Sequence, residues 1–370
     1  MNILILSCNT GQGHNSAAAA VLEAFEKKGH TAKIENTLLF LSKIYDDIIS
    51  DGHIFIYKNF PKLFGVGYRF EENHEPKFIQ SQLKLGAKKF TEYMSQNHYD
   101  AIVCSHVFGA ILVNEYKKKS GDKIPCGFVS TDYTVYPGAL ECQADLYFTA
   151  HPLLNDEFVS AGIEEEKLCP FGIPISHKFL KIVSKEDARK ELELPMDSKI
   201  VLIGGGSMGC GPIASLTSLT AEKLPDALVI VACGKNEKLI EQITKLSYNN
   251  VLPLPYTKRM DLYMSAADLY LTKAGGLSTT EAIYKAVPLL YIDAVPGCET
   301  RNIDFMSKNK FAEVAFTPEE ASSLAAKIIN APQNALDSIL KCREMLPSNP
   351  SMAIAEKIEE TVLKKDTVKL

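Results

Sequence analysis

The amino-acid sequence predicts an α/β protein of two doubly wound domains. Short apolar runs alternate with amphipathic helical stretches along the 370 residues. Most runs are too continuously apolar to have a solvated face, which is typical of strands in a parallel sheet covered by helices on both sides. The order strand, glycine-rich turn, helix begins the chain and begins again near residue 199. That restart indicates two sheets rather than one.

The strands are predicted at regular intervals in both halves of the chain. In the first half they are "NILILSC", "AKIEN", "AIVCSH", "CGFVST" and "LYFTAH". In the second half they are "KIVLIGG", "ALVIVACG", "NVLPLP", "DLYLTK", "PLLYID" and "AEVAF". We expect a first domain over residues 1–172, a second over 173–350, and a helix over 351–370 that packs back on the first. The segment "CPFGIPIS", residues 169–176, is expected to be the hinge.

Composition and charge exclude several classes of protein. The length exceeds what one hydrophobic core usually organises, which supports two domains. The net charge of −5 gives no reason to expect nucleic-acid binding. The nine cysteines are scattered and form no C-x-x-C pair, which argues against a disulfide framework and a structural zinc site. The sequence shows no basic-flanked leader and no run of roughly 18 apolar residues, so a cytoplasmic protein is expected.

The first glycine-rich turn carries a histidine where a phosphate would be expected. In "SCNTGQGHNSAAAAVLEAF", residues 7–25, Gly11, Gly13 and His14 join the first strand to an alanine-rich helix. Ligands of doubly wound sheets bind outside the carboxyl ends of the strands, and we expect the two domains to face a central cleft there. His14 is therefore a candidate for chemistry at that cleft. The alternative is a residue that only hydrogen-bonds the loop.

The strongest constellation lies in "YLTKAGGLSTTEAIYKAVPLLYIDAVPGCETRN", residues 270–302. After its first strand, Gly275 and Gly276 allow a tight turn, and a helix is expected to start near Ser278. The free N–H groups and positive dipole of a helix N-terminus suit a phosphate or diphosphate. Glu281, expected on the first turn, can accept two hydrogen bonds from the vicinal hydroxyls of a ribose. The alternative role of Glu281 is to stabilise the helix dipole.

Two further strand ends carry candidate ligand-binding residues. Glu299 and Asn302 in "PGCETRN" lie three apart on a new helix, so they share a face that can contact sugar hydroxyls. The alternative for Glu299 is a solvated surface position. Gly234 and Lys235 in "VACGKN" end another strand at the same edge of the sheet.

A second glycine loop, "IGGGSMGCGP", residues 203–212, can donate backbone N–H groups to a phosphate from positions that include Gly206 and Ser207. It is not a P-loop, because no Lys-Ser/Thr pair follows at the required place.

These motifs together carry a family resemblance that covers nearly the whole chain. The chain resembles the monogalactosyldiacylglycerol synthase and processive diacylglycerol glycosyltransferase group, and more distantly the N-acetylglucosaminyltransferase that completes peptidoglycan lipid precursors. The motifs are the G-x-G-H loop at 11–14, "STDY", "FGIPI", "VACGKN", "TKAGGLSTTEA" and "PGCETRN". The resemblance implies the GT-B architecture, with two Rossmann-like domains and the nucleotide sugar bound mainly by the C-terminal one. It also implies inversion at the anomeric carbon.

The resemblance implies a role for each donor-site residue. For the sugar and base parts of the donor, it implies that Glu281 holds the ribose and that Thr257 lies near the uracil. Glu299 and Asn302 are implied to face the hexose. At the diphosphate, the implied residues are Gly206 and Ser207, with Lys273 and Lys235 supplying positive charge around the leaving group. The sequence contains no D-x-D pair to seat a divalent ion. Helix N-termini and lysines are therefore expected to replace a metal, and no cofactor is expected.

A base is needed because an acceptor alcohol must lose its proton as it attacks the anomeric carbon. A histidine, with an ordinary pKa near 6.5, suits that task at neutral pH, and His14 is the first candidate. Asp132 in "STDY" is the rival base, or the group that orients His14, or a plain loop aspartate. His106 in "VCSH" is expected to line the cleft without acting as a catalyst.

The acceptor side is expected in residues 38–70, where aliphatic and aromatic residues mix with lysine and arginine. Such a surface suits anionic lipid and shallow insertion, and the alternative is a helical insertion that covers the core. The sequence thus predicts a peripheral enzyme on the inner face of the cell membrane. It transfers a hexose, glucose before galactose, from a UDP-sugar to a lipid hydroxyl, with diacylglycerol the first candidate. The alternatives are a polyprenyl-linked or soluble acceptor, and a UDP-sugar sensor without turnover.

Overall fold

The computed structural model describes residues 1–9, 12–41, 77–136, 138–205, 212–292 and 298–367. These residues form two compact units, each with its own parallel sheet. The first unit contains the described parts of Met1–His177, Val295–Cys298 and Leu346–Leu370, and the second those of Lys178–Ala294 and Glu299–Met345. The predicted α/β class is confirmed.

The twelve strands of the described ranges are short, and most are largely buried; the strands Thr31–Asn36, Val251–Pro255 and Glu313–Ala315 at the sheet edges are mostly half-buried or exposed. They are β1 Asn2–Ser7, β2 Thr31–Asn36, β3 Ala101–Cys104, β4 Cys126–Val129, β5 Leu146–Phe148, β6 Leu168–Cys169, β7 Ile200–Gly204, β8 Leu228–Gly234, β9 Val251–Pro255, β10 Leu269–Thr272, β11 Leu289–Ile292 and β12 Glu313–Ala315.

The α-helices of the described ranges connect these strands and flank the sheets. They are α1 Gln12–Lys27, α2 Leu38–Leu41, α3 Lys77–Gln96, α4 Val107–Ser120, α5 Asn155–Ser160, α6 His177–Leu180, α7 Lys185–Glu191, α8 Ile213–Lys223, α9 Glu237–Lys245, α10 Met260–Ala266, α11 Gly276–Lys285, α12 Cys298–Lys308, α13 Pro318–Asn330, α14 Gln333–Glu344 and α15 Pro350–Thr367. Two short 3₁₀ helices span Pro152–Leu154 and Glu165–Lys167.

The first sheet has the order β2-β1-β3-β4-β5-β6, and every pair is parallel. The chain moves from β1 outward to β2 and then crosses to β3 on the other side of β1. The carboxyl ends of β1 and β3 therefore form the switch point at which ligands of such sheets bind. The prediction missed β6, Leu168–Cys169, and placed its second residue in the hinge segment 169–176. A two-residue strand has no periodicity from which it could be recognised.

The second sheet has the order β12-β11-β10-β7-β8-β9 and is also parallel throughout. This is the Rossmann strand order, with β7 and β10 at the switch point. The residues that follow β7, β8, β10 and β11 therefore share one edge of the sheet. The predicted donor motifs follow these four strands, except for Thr257, which follows β9.

The C-terminal helix α15 belongs to the core of the first unit. Its Ile354, Ala355 and Ile358 are fully buried in a cluster with residues of β1 and α1. Gly127 of β4 leaves room for this packing, because a Cβ atom there would lie only 3.0 Å from the Ile358 Cδ1 atom. On the outer side, Lys28 and Glu359 form an ion pair of 2.9 Å.

We predict that Ile358→Ala lowers the free energy of unfolding by about 2–5 kcal/mol, because it removes buried methyl groups and leaves a cavity. Denaturant unfolding followed by circular dichroism measures the change. Leu363→Ala on the same helix is the matched control, since that side chain is 59% exposed; its effect should stay within about 0.5 kcal/mol. Equal losses in both variants would contradict the packing described for α15.

Candidate active site

Three neighbouring strand ends of the first unit meet at one pocket. His14 lies in the first turn of α1 after β1, His106 caps the start of α4 after β3, and Asp132 follows β4. The pocket is lined by His14, Ser105, His106, Val107, Phe128, Ser130, Thr131, Asp132 and Tyr136. The structure thus brings together both residues that the sequence proposed as bases.

One hydrogen bond fixes the tautomer of His14. The Nδ1 atom of His14 lies 2.8 Å from the carbonyl oxygen of Ser105. A carbonyl oxygen can only accept, so Nδ1 carries the proton and donates it. Thr131 Oγ1 lies 3.1 Å from the same Nδ1 and shares that proton. The neutral imidazole therefore holds its lone pair on Nε2, which no residue in the described part of the chain hydrogen-bonds.

The environment also lowers the basicity of His14. Burial is the largest cause and lowers its pKa from the ordinary value of 6.5, since a charged imidazolium is poorly solvated there. The negative charge of Asp132 and the bond to Ser105 both oppose this shift. The net result is a neutral imidazole at pH 7, which is the form that can accept a proton.

A side-chain network behind His14 joins the ends of β1 and β3. The Ser105 hydroxyl donates to Ser7 Oγ at 3.2 Å, and the Ser7 hydroxyl donates to Asn15 Oδ1 at 2.6 Å. The Asn15 amide donates in turn to Asn9 Oδ1 at 2.9 Å. These bonds tie the first turn of α1, and with it His14, to both strands.

His106 has a structural role in addition to lining the pocket. Its Nδ1 atom accepts the Phe108 N–H at 3.2 Å and so caps α4. The rings of His14 and His106 meet edge to face with centroids 4.6 Å apart. Because its Nδ1 lone pair is used as an acceptor, the neutral His106 carries its proton on Nε2. The capping bond fits the expectation that His106 lines the site without acting as the base.

In the second unit, the start of α11 differs from the expectation in one respect. Gly275 caps the helix and Gly276 is its first residue, so the helix begins two residues before Ser278. Glu281 consequently lies on the second turn, and the prediction that it sits on the first turn is wrong. Gly275 has an ordinary extended backbone, and a Cβ atom there would meet nothing within 4 Å. Its lack of a side chain keeps the space before the helix N-terminus open.

Glu281 lies in an environment that favours its protonated form. Burial raises its pKa to about 8, Asp261 adds to the shift, and Lys178 opposes it. A carboxyl group of this kind is available to a ligand that supplies hydrogen-bond donors, since such donors stabilise the carboxylate.

The end of β10 is held by α12. Lys273 and Glu299 form an ion pair of 3.0 Å, and both side chains are largely buried. Asn302 is fully buried and its amide donates to the Ala274 carbonyl at 2.8 Å. Glu299 is therefore not the solvated surface group of the alternative interpretation. The pair and the amide together fix residues 273–275 beside the start of α11.

The remaining predicted donor residues lie at the same edge of the second sheet or outside the described ranges. Gly234 ends β8 with φ of +59°, a left-handed conformation that glycine adopts readily. The Lys235 Nζ atom lies 5.3 Å from the Tyr256 ring centroid, and Thr257 Oγ1 accepts the Arg259 N–H at 3.0 Å. Gly206 and Ser207 lie outside the described ranges. Of the two loop glycines predicted in the first unit, Gly11 also lies outside them and Gly13 lies in α1.

Sequence reasoning missed two of the groups that define the first site. Thr131 stood inside the quoted "STDY" motif, and its position at a strand end was the available signal. The Ser105 carbonyl has no sequence signature, because any residue would supply it. In the described part of the chain, no group of three or more His, Cys, Asp or Glu side chains is arranged to hold a metal ion. No helix of that part has the length and apolar character needed to cross a membrane.

We predict that His14 titrates below pH 6.5 and that Asp132→Asn lowers its pKa further, because Asp132 stabilises the imidazolium. Two-dimensional NMR of the histidine rings against pH measures both values. The signal of His98, whose side chain is 93% exposed, should behave identically in the two proteins. A His14 pKa that rises in Asp132→Asn, or stays the same, would contradict the electrostatics described here.

Comparisons with known proteins assign both halves of the chain. Residues 14–175 match the family model described as monogalactosyldiacylglycerol (MGDG) synthase, and residues 200–337 match the glycosyltransferase family 28 C-terminal domain. A processive diacylglycerol beta-glucosyltransferase of Staphylococcus saprophyticus is 28% identical over 89% of this chain and 85% of its own. The Bacillus licheniformis protein of the same name is 28% identical over 100% and 98%.

Solved structures show the same fold. The chain aligns with Acinetobacter baumannii MurG at a TM-score of 0.65 and 17% identity, covering 97% of this chain and 99% of that one. It aligns with UDP-GlcNAc 2-epimerase from Neisseria meningitidis at 0.60 and 16%, covering 99% and 100%. A fold shared by transferases and epimerases does not decide the activity, but the two family models do. The chain therefore belongs to the GT-B glycosyltransferases that join a monogalactosyldiacylglycerol synthase family domain to a glycosyltransferase family 28 C-terminal domain.

Proposed function

We propose that this enzyme transfers glucose from UDP-glucose to the hydroxyl group of 1,2-diacylglycerol, with inversion, to give a β-glycolipid. The observation that carries the proposal is the hydrogen bond from His14 Nδ1 to the Ser105 carbonyl, which leaves Nε2 as a proton acceptor. The names of the curated relatives supply the sugar and the lipid, and they favour glucose over galactose.

His14 acts as the general base in this proposal. As the acceptor oxygen bonds to the anomeric carbon, the bond from that carbon to the UDP oxygen breaks on the opposite face, and Nε2 takes the hydroxyl proton. The imidazolium that forms is stabilised by the negative charge of Asp132. A positioned base of this kind contributes about 10²- to 10⁴-fold to the rate.

The second unit binds the donor in this proposal. Glu281 accepts hydrogen bonds from the ribose hydroxyls, and the open start of α11 with Gly206, Ser207 and Lys235 receives the diphosphate. The Lys273–Glu299 pair lies beside that helix start, where the lysine is available to the leaving group and the glutamate to the hexose. In this account lysines and helix N-terminal N–H groups supply the positive charge, so transfer is expected to persist in EDTA.

The acceptor is proposed to be reached from the inner face of the cell membrane. On α3, Leu85, Lys88 and Lys89 are exposed and lie three and four residues apart, which puts an apolar side chain and two cations on one face. Leu39 of α2 is also exposed. Such a mixture suits contact with anionic lipid. Residues 42–76, which carry most of the predicted acceptor segment, lie outside the described ranges.

We predict that His14→Ala lowers turnover at least about 10²-fold while UDP affinity stays nearly unchanged. Transfer of radiolabelled glucose from UDP-glucose to diacylglycerol in mixed lipid vesicles gives the rate, and calorimetry gives the affinity. The wild-type transfer rate should rise with pH through an apparent pKa below 6.5. The rate of His14→Ala should not show this rise with pH.

The matched control is His98→Ala, which removes an exposed histidine and should keep the wild-type rate. Near-normal turnover in His14→Ala would remove His14 from the reaction and make Asp132 the next candidate base. If glucose is transferred only to a polyprenyl-linked or soluble acceptor, that molecule replaces diacylglycerol as the proposed acceptor. If the protein binds UDP but transfers no glucose to any acceptor, it is a UDP-sugar sensor and not an enzyme.

We predict that UDP binding releases protons through Glu281. Its pKa is about 8 in the free protein, and ribose hydroxyls that donate to the carboxylate lower that value. Affinity should therefore increase as the pH rises toward 8 and level off above it. Glu281→Ala should weaken UDP binding by about 1.5–3 kcal/mol. In Glu281→Gln, the affinity for UDP should no longer show the increase with pH that the Glu281 carboxyl causes.

Calorimetry in two buffers of different ionisation heat measures this proton release, and the difference from Glu281→Gln removes the contribution of the UDP phosphate. Glu319→Gln, at an exposed position on α13, is the matched control. Equal proton release in wild type and Glu281→Gln would remove Glu281 from the nucleotide site.

A further inference from the structure

The segment that follows β4, residues 130–136, carries two of the groups that contact or influence His14. Thr131 Oγ1 lies 3.1 Å from His14 Nδ1. The negative charge of Asp132 raises the pKa of the same ring, against the effect of burial. The Ser130 hydroxyl donates to the Asp132 carbonyl at 3.1 Å, which forms a local turn. The placement of this segment therefore decides where Thr131 and Asp132 stand.

Glu157 fastens the far end of this segment. It lies in the first turn of α5, and its Oε1 atom accepts the Thr134 hydroxyl at 2.8 Å and the Val135 N–H at 2.9 Å. Hydrogen bonds to an ionised acceptor are stronger than those between neutral groups. Thr134 is only 4% exposed, whereas the Glu157 side chain is exposed and reaches the segment from the solvent side. One carboxylate oxygen thus binds two consecutive residues of the segment.

We propose that Glu157 is a positioning residue, which holds residues 130–136 so that Thr131 and Asp132 stay beside the imidazole of His14. The proposal rests on the proposed function in that His14 is taken as the base. Glu157 contacts neither His14 nor the other pocket-lining residues in the described contacts. Its effect on the reaction therefore passes through the segment.

Only some of the groups that face His14 belong to residues 130–136, so moving this segment changes only part of the surroundings of His14. Asp132 faces it from the segment, and His106 from the start of α4. The Ser105 carbonyl comes from the end of β3 and is not held by Glu157. Loss of the Glu157 bonds should therefore leave the tautomer of His14 intact, reduce the electrostatic influence of Asp132 and loosen Thr131.

The test compares Glu157→Ala with Glu157→Gln, whose amide oxygen can still accept both hydrogen bonds. NMR titration without substrate should show a lower His14 pKa in Glu157→Ala, shifted in the same direction as in Asp132→Asn, and a value near wild type in Glu157→Gln. In the transfer assay, Glu157→Ala should lower kcat about 10-fold or more, within the range for a misplaced catalytic group, with little change in KM for UDP-glucose. Asp156→Ala, the exposed neighbour on the same turn, is the matched control and should match wild type in both measurements.

A double-variant cycle separates positioning from a general loss of structure. In the Asp132→Asn background, Glu157→Ala should lower the His14 pKa no further, because the charge that it misplaces is already gone. An unchanged His14 pKa in Glu157→Ala, or an equal added shift in the Asp132→Asn background, would overturn the proposal. These titrations need no turnover, so the positioning proposal can fail or succeed independently of the reaction proposed for His14.

Discussion

The chemistry proposed for this chain depends on one hydrogen bond, from His14 Nδ1 to the carbonyl of Ser105. It joins the first turn after β1 to the end of β3, the two strands at the switch point of the first sheet. Because the acceptor is a carbonyl, the bond also determines which ring nitrogen carries the proton. Burial then keeps the ring neutral. The position and tautomer of the candidate base follow from this hydrogen bond, and its protonation state follows from burial.

In the proposed donor site, the second unit has to bind negative charge, and the sequence contains no D-x-D pair to seat a divalent ion. Its edge offers a helix start kept open by Gly275 and a lysine already neutralised by Glu299. Pairing Lys273 inside the protein avoids the cost of an isolated buried charge. When an anionic ligand binds Lys273, it replaces Glu299 as the charged partner of the lysine, so the buried charge stays paired.

The sequence predicted the parts of this architecture that repeat along the chain. Continuous apolar runs located eleven of the twelve strands in the described ranges, and glycines and polar residues at strand ends located His14, Asp132 and the donor motifs. What it missed depends on three-dimensional placement. The strand β6 has two residues, the Ser105 carbonyl carries no side-chain signal, and Glu281 moved to the second turn because α11 starts at Gly276. The site roles themselves stay predictions.

The proposed reaction requires that His14 presents an unprotonated Nε2 atom to the pocket. Nitrogen-15 chemical shifts of a histidine-labelled protein distinguish the two neutral tautomers, and His14→Ala assigns the signals. At pH 7 we expect the proton on Nδ1, with Nε2 showing the chemical shift of an unprotonated ring nitrogen. A proton on Nε2 would contradict this assignment, because Nε2 would then have no lone pair with which to accept the proton of an acceptor hydroxyl.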